Sequence, residues 1–550
     1  MDASQKNIVI DGKSLNASDV IAISRRDAHV SLCPAARAAL QSTRDFVESN
    51  WLAEDAPPVY ALNTGVGSRK NIKLSPSAIP RFQKNLIMAT SAGTGEPMPL
   101  EVVRAMMVLR ANVFATNYSG IRVEVVERLL QMLNHGIIPI IPAKGSVGAS
   151  GDLAPLAFLG AALMGHSDSL VYFGPRILPA DKAFAEAGLP PTIDVQAKDA
   201  SALLNGSTAS LAYAVVAAYD ARVLLRSAVA SLCLSLEALR CEVSCFDDTM
   251  MSARPHKGQR AVATAIREMV LKSERCTDAA REVRISSGPK PIGQGTSERH
   301  APPLGPRIND AYSLRCAPQV YGPVLEALNY VDGILGVEIN SSTDNPLFIK
   351  TDDNSYCAIS GGHFHGQYVA QAMDLLAIAV TDLGAICDRR AARLVDPACS
   401  FGLPAGLIAI EPGINNGFGG AQSMGTGLTL ENMGLCAPAS TLSLPAKANS
   451  EDHISNSCYS ARRVRTIVEN TQAIVAVELL LASQALDLVA PEFLEFPIGE
   501  GTFHAWQEVR RFAPPTLKDD RWVFGDIEAL RLAISTEAIA ASVSNWIKDF

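Results

Sequence analysis

No two cysteines in this chain stand at C-x-x-C spacing, although there are eleven of them. The closest group is Cys233, Cys241 and Cys245. Scattered thiols of this kind read as buried and reduced, in a cytoplasmic protein. The N-terminus, Met1 to Val9, lacks a basic segment followed by an apolar run, so no secretory signal is expected. A clean membrane span is missing too: the apolar stretch 371–387 carries Asp374 and Asp382. Basic residues are not in excess. Lys and Arg number 48 against 56 Asp and Glu, a net charge of −8, which argues against nucleic acid or an anionic membrane as the main partner. Internal repeats, low-complexity tracts and linkers are absent, and strand signals are few. Ile8 to Ile10, Val171 to Phe173 and Leu407 to Ile410 are the short candidates.

What the chain has is apolar material and helical periodicity. Of its 550 residues 48% are hydrophobic and 19% charged, enough for a large core. Residues 57–80 are loop-like, broken by Pro57, Pro58, Gly65, Gly67 and Pro76. Residues 99–136 read as helical. Apolar residues then recur at helical spacing near 205–246, 316–339, 364–395, 420–436 and 456–490, far beyond ordinary helix length. In the last of these the row is Val464, Ile467, Val468, Ile474, Val475, Val477, Leu479 and Leu480. The pattern predicts a mainly α fold with a long central helix bundle. A Gly/Pro-rich stretch at 284–311 has the length of a functional loop.

One short segment stands apart. Gly145-Ser-Val-Gly-Ala-Ser-Gly-Asp-Leu-Ala-Pro-Leu156 places four small residues in a row, Gly148 to Gly151. Such a run turns tightly. A tight turn brings the Gly151 nitrogen against the Ala149 carbonyl, with no side chain on Gly151 in the way. Ring closure, with loss of water from Ser150, yields 4-methylidene-imidazole-5-one (MIO), a carbon electrophile that none of the twenty side chains supplies. The plainer alternative is a Gly-rich turn capping a helix, with Ser150 or Asp152 as N-cap.

The whole block Gly145 to Leu156 resembles, without a gap, the active-site signature of the histidine, phenylalanine and tyrosine ammonia-lyases and aminomutases. Further blocks follow in that family's order. Tyr60-Ala-Leu-Asn-Thr-Gly-Val-Gly67 is similar to its tyrosine loop, and Leu203-Leu-Asn-Gly-Ser207 to its asparagine motif. Asp310 to Gln319 is similar to its tyrosine–arginine motif. Ser342 to Leu347, Ser360 to His365, Glu431-Asn432 and Asn449 to His453 complete the set. The blocks run from about residue 60 to 455, and the chain has the length of the shorter bacterial type.

The resemblance implies an N-terminal, mixed, cofactor-bearing domain over 1–204, the helix bundle over 205–500 and a C-terminal helical segment over 501–550. It implies MIO made from Ala149, Ser150 and Gly151, with no metal and no external cofactor. By the same resemblance Tyr60 is the base that takes the substrate's β-hydrogen. A phenol ordinarily titrates near 10, so it needs help at neutral pH; helix ends converging on the site provide that in the family. Arg315 matches the residue that grips the substrate carboxylate with two parallel hydrogen bonds. Asn205 and Tyr312 match neighbours of the cofactor, and Glu431 an acidic position near the substrate amine. Asn345 and Phe364 match substrate-pocket positions, although Asn before Pro is also a common turn element. His363 and His365, at i, i+2 spacing without accompanying carboxylates or thiols, fit no common metal site. A homotetramer with shared active sites is implied as well.

Three departures from the family stand out. Ala89-Thr90 stands where tyrosine lyases tend to carry His-Leu, phenylalanine lyases Phe-Leu and histidine lyases Ser-His. Asn309 replaces the usual Gln. Ala61 and Val66 replace a Gly and an aromatic in the tyrosine loop. Small Ala89, hydroxyl-bearing Thr90 and Asn309 predict a roomier pocket and an aromatic or histidine-like α-amino acid with an unusual side chain. The leading expectation is non-oxidative elimination of ammonia to an α,β-unsaturated acid. The alternatives are a 2,3-aminomutase that returns ammonia to the β-carbon, and a non-catalytic paralogue that keeps only the fold.

Overall fold

The computed structural model describes residues 7–285, 308–446, 451–548 and 550. The Gly/Pro-rich stretch predicted at 284–311 lies mostly outside the described residues, as do Asn449 and Ser450. The fold is mainly α, as the periodicity predicts. Its long helices are Thr208–Ala238, Ala317–Ile339, Gln367–Val395, Gly419–Leu435 and Ser457–Leu488.

The differences from expectation are local and have physical causes. The helix predicted to run to 246 ends at Ala238, because Arg240 turns to φ 53°. The single helical stretch expected at 99–136 is two helices, Leu100–Ala115 and Val123–Asn134. Asn117 (φ 68°) and Gly120 (φ 63°) break it, and a Cβ on Gly120 would run into the Phe348 ring. Leu407 to Ile410 is not a strand. Gly406 and Leu407 both adopt positive φ, and Ile408 N donates to Ala405 O in a turn. The other two strand candidates form, as Asn7–Ile10 and Leu170–Phe173.

The chain divides into two compact units, each drawn from separated stretches. Unit one comprises 1–217, 331–374 and 438–465; unit two comprises 218–330, 375–437 and 466–550. In unit one, residues Val102 to Ala115 of the Leu100–Ala115 helix are all buried. Among the described residues unit one also holds four small sheets. Asn7–Ile10 pairs parallel with His29–Leu32, and Thr94–Pro97 antiparallel with Pro142–Lys144. Leu170–Phe173 is the middle strand between Ile137–Pro139 and Arg176–Pro179, and Leu347–Lys350 pairs with Tyr356–Ile359. An aromatic cluster joins Val47, Trp51, Val59, Leu62, Phe348 and Tyr356, with the Trp51 and Phe348 rings 4.9 Å apart.

Unit two is built from helices around a buried ion pair. Arg390 donates to Glu478 at 2.5 Å, both side chains fully buried, and Ser235 Oγ and Tyr321 complete the network. Among the described residues three helices, Thr208–Ala238, Gln367–Val395 and Ser457–Leu488, are long and apolar enough to cross a membrane by length and composition. Their most apolar windows are 89%, 61% and 94% buried in the fold.

Candidate active site

The aromatic cluster fixes the loop that carries Tyr60. Val59 and Leu62 are buried in it, so Tyr60 between them is held half-buried. Asn63 ties the loop down: its amide nitrogen donates to the carbonyls of Trp51 (3.0 Å) and Pro57 (2.9 Å), and its oxygen accepts from Val59 N at 2.7 Å. Ala61 sits at φ 57°, a left-handed conformation that costs a non-glycine residue about 1–2 kcal/mol. Its carbonyl is anchored by Gln83 Nε2 at 3.1 Å, and the oxygen of Gln83 accepts from Ala200 N at 2.9 Å. The Tyr60 hydroxyl accepts from Gly67 N at 3.3 Å.

The Gly145 to Leu156 block makes the facing wall. Gly145, Gly148 and Gly151 all take positive φ. Gly151 pairs with Gly206 in a short parallel bridge: Asp152 N donates to Gly206 O at 2.8 Å, and Gly206 N to Ser150 O at 3.4 Å. A Cβ on Gly151 would collide with the Gly206 backbone, so only glycine fits there. The Ser455 hydroxyl donates to Gly148 O at 3.1 Å, and Asn456 N to Val147 O at 3.2 Å.

Asp152 precedes the helix Leu153–Leu163 but does not cap it with its side chain. The fully buried carboxylate accepts instead from Ser210 N (2.7 Å), Ser210 Oγ (2.8 Å) and Ser146 Oγ (2.7 Å). Burial pushes this carboxyl above its ordinary value, against the pull of those donors. Its role in the fold is to clamp both ends of the small-residue turn. Asp152 therefore occupies the N-cap position of the helix without making the side-chain capping bond.

Two cavities of about 400 and 350 Å³ open beside this wall and share Tyr60, Gly67, Ser150, Asn205 and Glu451 as lining residues. Volumes of this order hold small ligands. The larger adds Thr90, Ser201 and the apolar Leu86, Leu153 and Leu204. The smaller adds Ala149, Asn345, Phe364, His365 and His453. Unit one thus brings together Tyr60, Thr90, Ala149, Ser150, Asn205, Asn345 and Phe364 from the sequence-predicted set. Gly151 lies buried just behind Ser150. Ala89 is exposed and lines neither cavity.

Asn205 donates from its amide nitrogen to Asn345 O at 3.2 Å, while its buried side-chain oxygen meets no hydrogen-bond partner among the described residues. It keeps hydrogen-bonding capacity for a bound molecule. Asn345 is committed to the fold: its side-chain oxygen accepts from Gly361 N at 2.8 Å. Beside it the fully buried Lys198 and Asp344 pair at 2.8 Å. Burial lowers the Lys198 ammonium from its ordinary value, and Asp344 opposes that shift.

Asn309, Tyr312, Arg315 and Glu431 belong to unit two. Asn309 and Glu431 are exposed, and Tyr312 is 71% exposed. Arg315 donates through Nε to Asp310 O at 2.9 Å, and its guanidinium lies 4.8 Å from the centre of the Tyr312 ring.

Sequence reasoning did not single out Glu451, whose carboxylate accepts from Ser150 Oγ at 2.5 Å. The one available signal was its place in the Asn449 to His453 block. His365 and His453 were also missed as a pair; their ring nitrogens approach to 3.5 Å. Among the described residues no group of three or more His, Cys, Asp or Glu side chains is placed to hold a metal.

A model of the family described as aromatic amino acid lyase matches residues 15–511. The chain is 40% identical to a histidine ammonia-lyase of Caldanaerobacter subterraneus, over 95% of this chain and 96% of that one. It is 40% identical to a histidine ammonia-lyase of Gloeobacter violaceus, over 95% and 94%. Among solved structures it is similar to a tyrosine aminomutase of Streptomyces globisporus, with a TM-score of 0.88, 31% identity and 99% of both chains covered. It is likewise similar to a histidine ammonia-lyase of Trypanosoma cruzi, with a TM-score of 0.85, 34% identity and 99% and 96% covered.

Proposed function

We propose that this chain, which belongs to the aromatic amino acid lyase family and is a carbon–nitrogen ammonia-lyase, eliminates ammonia from an aromatic or histidine-like L-amino acid to give an α,β-unsaturated acid. The observation that carries this reading is the placement of Ser150, between Ala149 and a Gly151 where only glycine fits, on the wall of a cavity that also holds Tyr60 and Asn205. The residues present fit MIO. The turn is held at both ends by Asp152, Ser455 and Asn456, and Asn205 has an oxygen to spare beside it. When formed, that group supplies the carbon electrophile that activates the substrate.

The chain's own residues do the rest. Tyr60 takes the β-hydrogen, and Gly67 N–H points at its oxygen, where negative charge develops. Leu86, Leu153 and Leu204 exclude water from the substrate's side chain, and the hydroxyls of Thr90 and Ser201 offer it hydrogen bonds. The family match assigns Asn205 of unit one to the cofactor's neighbourhood; in unit two it assigns Arg315 to the substrate carboxylate, Tyr312 to the cofactor and Glu431 to the substrate amine. Of the departing positions Thr90 lines the larger cavity, where its hydroxyl suits a side chain that carries a polar group, whereas Ala89 and Asn309 line neither cavity. Asn345 and Phe364 shape the second cavity.

We read the assembly as a homotetramer with shared sites. In support, Leu375, Ile378, Leu430 and Met433 of unit two expose apolar surface that further copies of the chain would cover. A metal, nucleic acid and membrane have no part in the proposal. No disulfide links any of the cysteines among the described residues, which suits the cytoplasm.

A 2,3-aminomutase is the second reading, favoured by the likeness to the tyrosine aminomutase fold. A panel of L-histidine, L-phenylalanine, L-tyrosine and substituted relatives, followed at the absorbance of the conjugated acid, tests both. Arylacrylate release supports the lyase, and a β-amino acid product supports the mutase. Rapid turnover of L-histidine would refute the unusual side chain, and no turnover on any member would leave the non-catalytic paralogue.

A further inference from the structure

We propose that Glu451 is the general acid that expels the Ser150 hydroxyl when the cofactor matures. This rests on the reading that Ala149, Ser150 and Gly151 form MIO. The carboxyl oxygen of Glu451 lies 2.5 Å from Ser150 Oγ, the atom that must leave. Glu451 is held from its own backbone: its carbonyl accepts from Ala446 N at 2.8 Å, and its N–H donates to Ala446 O at 3.4 Å. Ser150 is held by the Gly206 N–H on its carbonyl. Two anchored segments, 301 residues apart in sequence, thus aim one carboxyl at one hydroxyl.

Maturation has two dehydrations, and the contact bears on one of them. In the first, Gly151 N loses its proton and bonds to the Ala149 carbonyl carbon; the Ser150 N–H gives up its proton, a C=N bond forms between that nitrogen and the Ala149 carbon, and the former carbonyl oxygen leaves with the two protons as water. In the second, a solvent base takes the Ser150 Cα hydrogen, acidified by the closed ring. The electron pair of that bond becomes the Cα–Cβ double bond, and the Cβ–Oγ bond breaks. Glu451, first protonated from solvent, gives that proton to Oγ, which leaves as the second water and returns Glu451 to the carboxylate that accepts from Ser150 Oγ in the resting contact. Hydroxide is a poor leaving group, so a positioned proton donor is worth about 100-fold or more in rate. Glu451 touches the atom that leaves in the second step.

The test is the intact mass and near-ultraviolet spectrum of the full chain, purified as wild type, E451Q and E451D. Wild type is expected two water molecules below the sequence mass. E451Q is expected to accumulate one water molecule below it, ring closed and Ser150 hydroxyl intact, without the near-ultraviolet band. E451D, with a shorter reach, is expected to move slowly from that species to the mature one. A thermal midpoint for E451Q near that of wild type shows that it is folded. Mature E451Q at the wild-type rate overturns the proposal, and so does E451Q stalled at full mass, which would place Glu451 in ring closure or folding. Wild type at full mass would instead overturn the cofactor reading itself.

Discussion

At the scale of single residues, chemistry and fold make different demands on neighbouring side chains. Tyr60 is held between two buried anchors with its hydroxyl free to work, whereas Asn345 spends its side-chain oxygen on Gly361. Replacing Tyr60 with Phe is therefore expected to lower turnover about 100-fold or more, with the thermal midpoint and the cofactor absorbance kept. Steady-state kinetics beside a thermal melt checks this; retained turnover would remove Tyr60 as the base. Cys245 gives a pH prediction. Burial pushes its thiol up to about 12, with Asp310 and Glu242 adding to the shift. A raised value keeps the neutral thiol, and thiolate is the reactive form. Its alkylation rate, followed by peptide mass, should stay low from pH 7 to 9, where an ordinary cysteine near 8.5 speeds up markedly. A steep rise across that window would show an accessible thiolate. The Glu451–Ser150 contact was illegible in the sequence because nothing local joins two positions 301 residues apart. The Tyr60 and Gly145 to Leu156 blocks were legible because their residue order is itself unusual.

At the scale of elements, the turn that carries Ser150 depends on a second turn built around Gly206. Gly206 has φ 131°, and a Cβ there would strike Thr343 Oγ1 and the Arg110 guanidinium. Arg110 is fully buried and donates to Thr208 Oγ1 at 3.1 Å, so the guanidinium does not yield easily. Gly206→Ala is expected to cost about 2–3 kcal/mol from overpacking and backbone strain. It should also reduce the mature fraction, since Ser150 O and Asp152 N both bond to Gly206. Urea unfolding and intact mass read the two effects; a variant as stable and as mature as wild type would show the bridge to be dispensable. The long helices were legible from periodicity alone. Their interruptions were not, because the break between Ala115 and Val123 rests on a close approach of Phe348, a contact formed only in the fold. Leu407 to Ile410 misled for a related reason: four apolar residues look like a strand until the positive φ of Gly406 and Leu407 turns the chain.

At the scale of the whole molecule, both compact units are assembled from three separated stretches, an arrangement no linear reading displays. Unit two hides the ion pair Arg390–Glu478 in its interior. Removing one partner strands a buried charge, so Glu478→Leu is expected to destabilise the fold by about 3–5 kcal/mol. Calorimetry checks this, and Arg390→Met with Glu478→Leu together should recover much of the loss. A neutral single variant would mean that the pair is solvated in solution. The account as a whole stands on one claim, that Ala149, Ser150 and Gly151 become an electrophile beside Tyr60 and Asn205. The most direct measurement is the intact mass of the purified full chain, with its near-ultraviolet spectrum, against Ser150→Ala. The account predicts wild type lighter than its sequence by two water molecules, with an absorbance band that the variant lacks. Wild type at its full sequence mass, without that band, would contradict it.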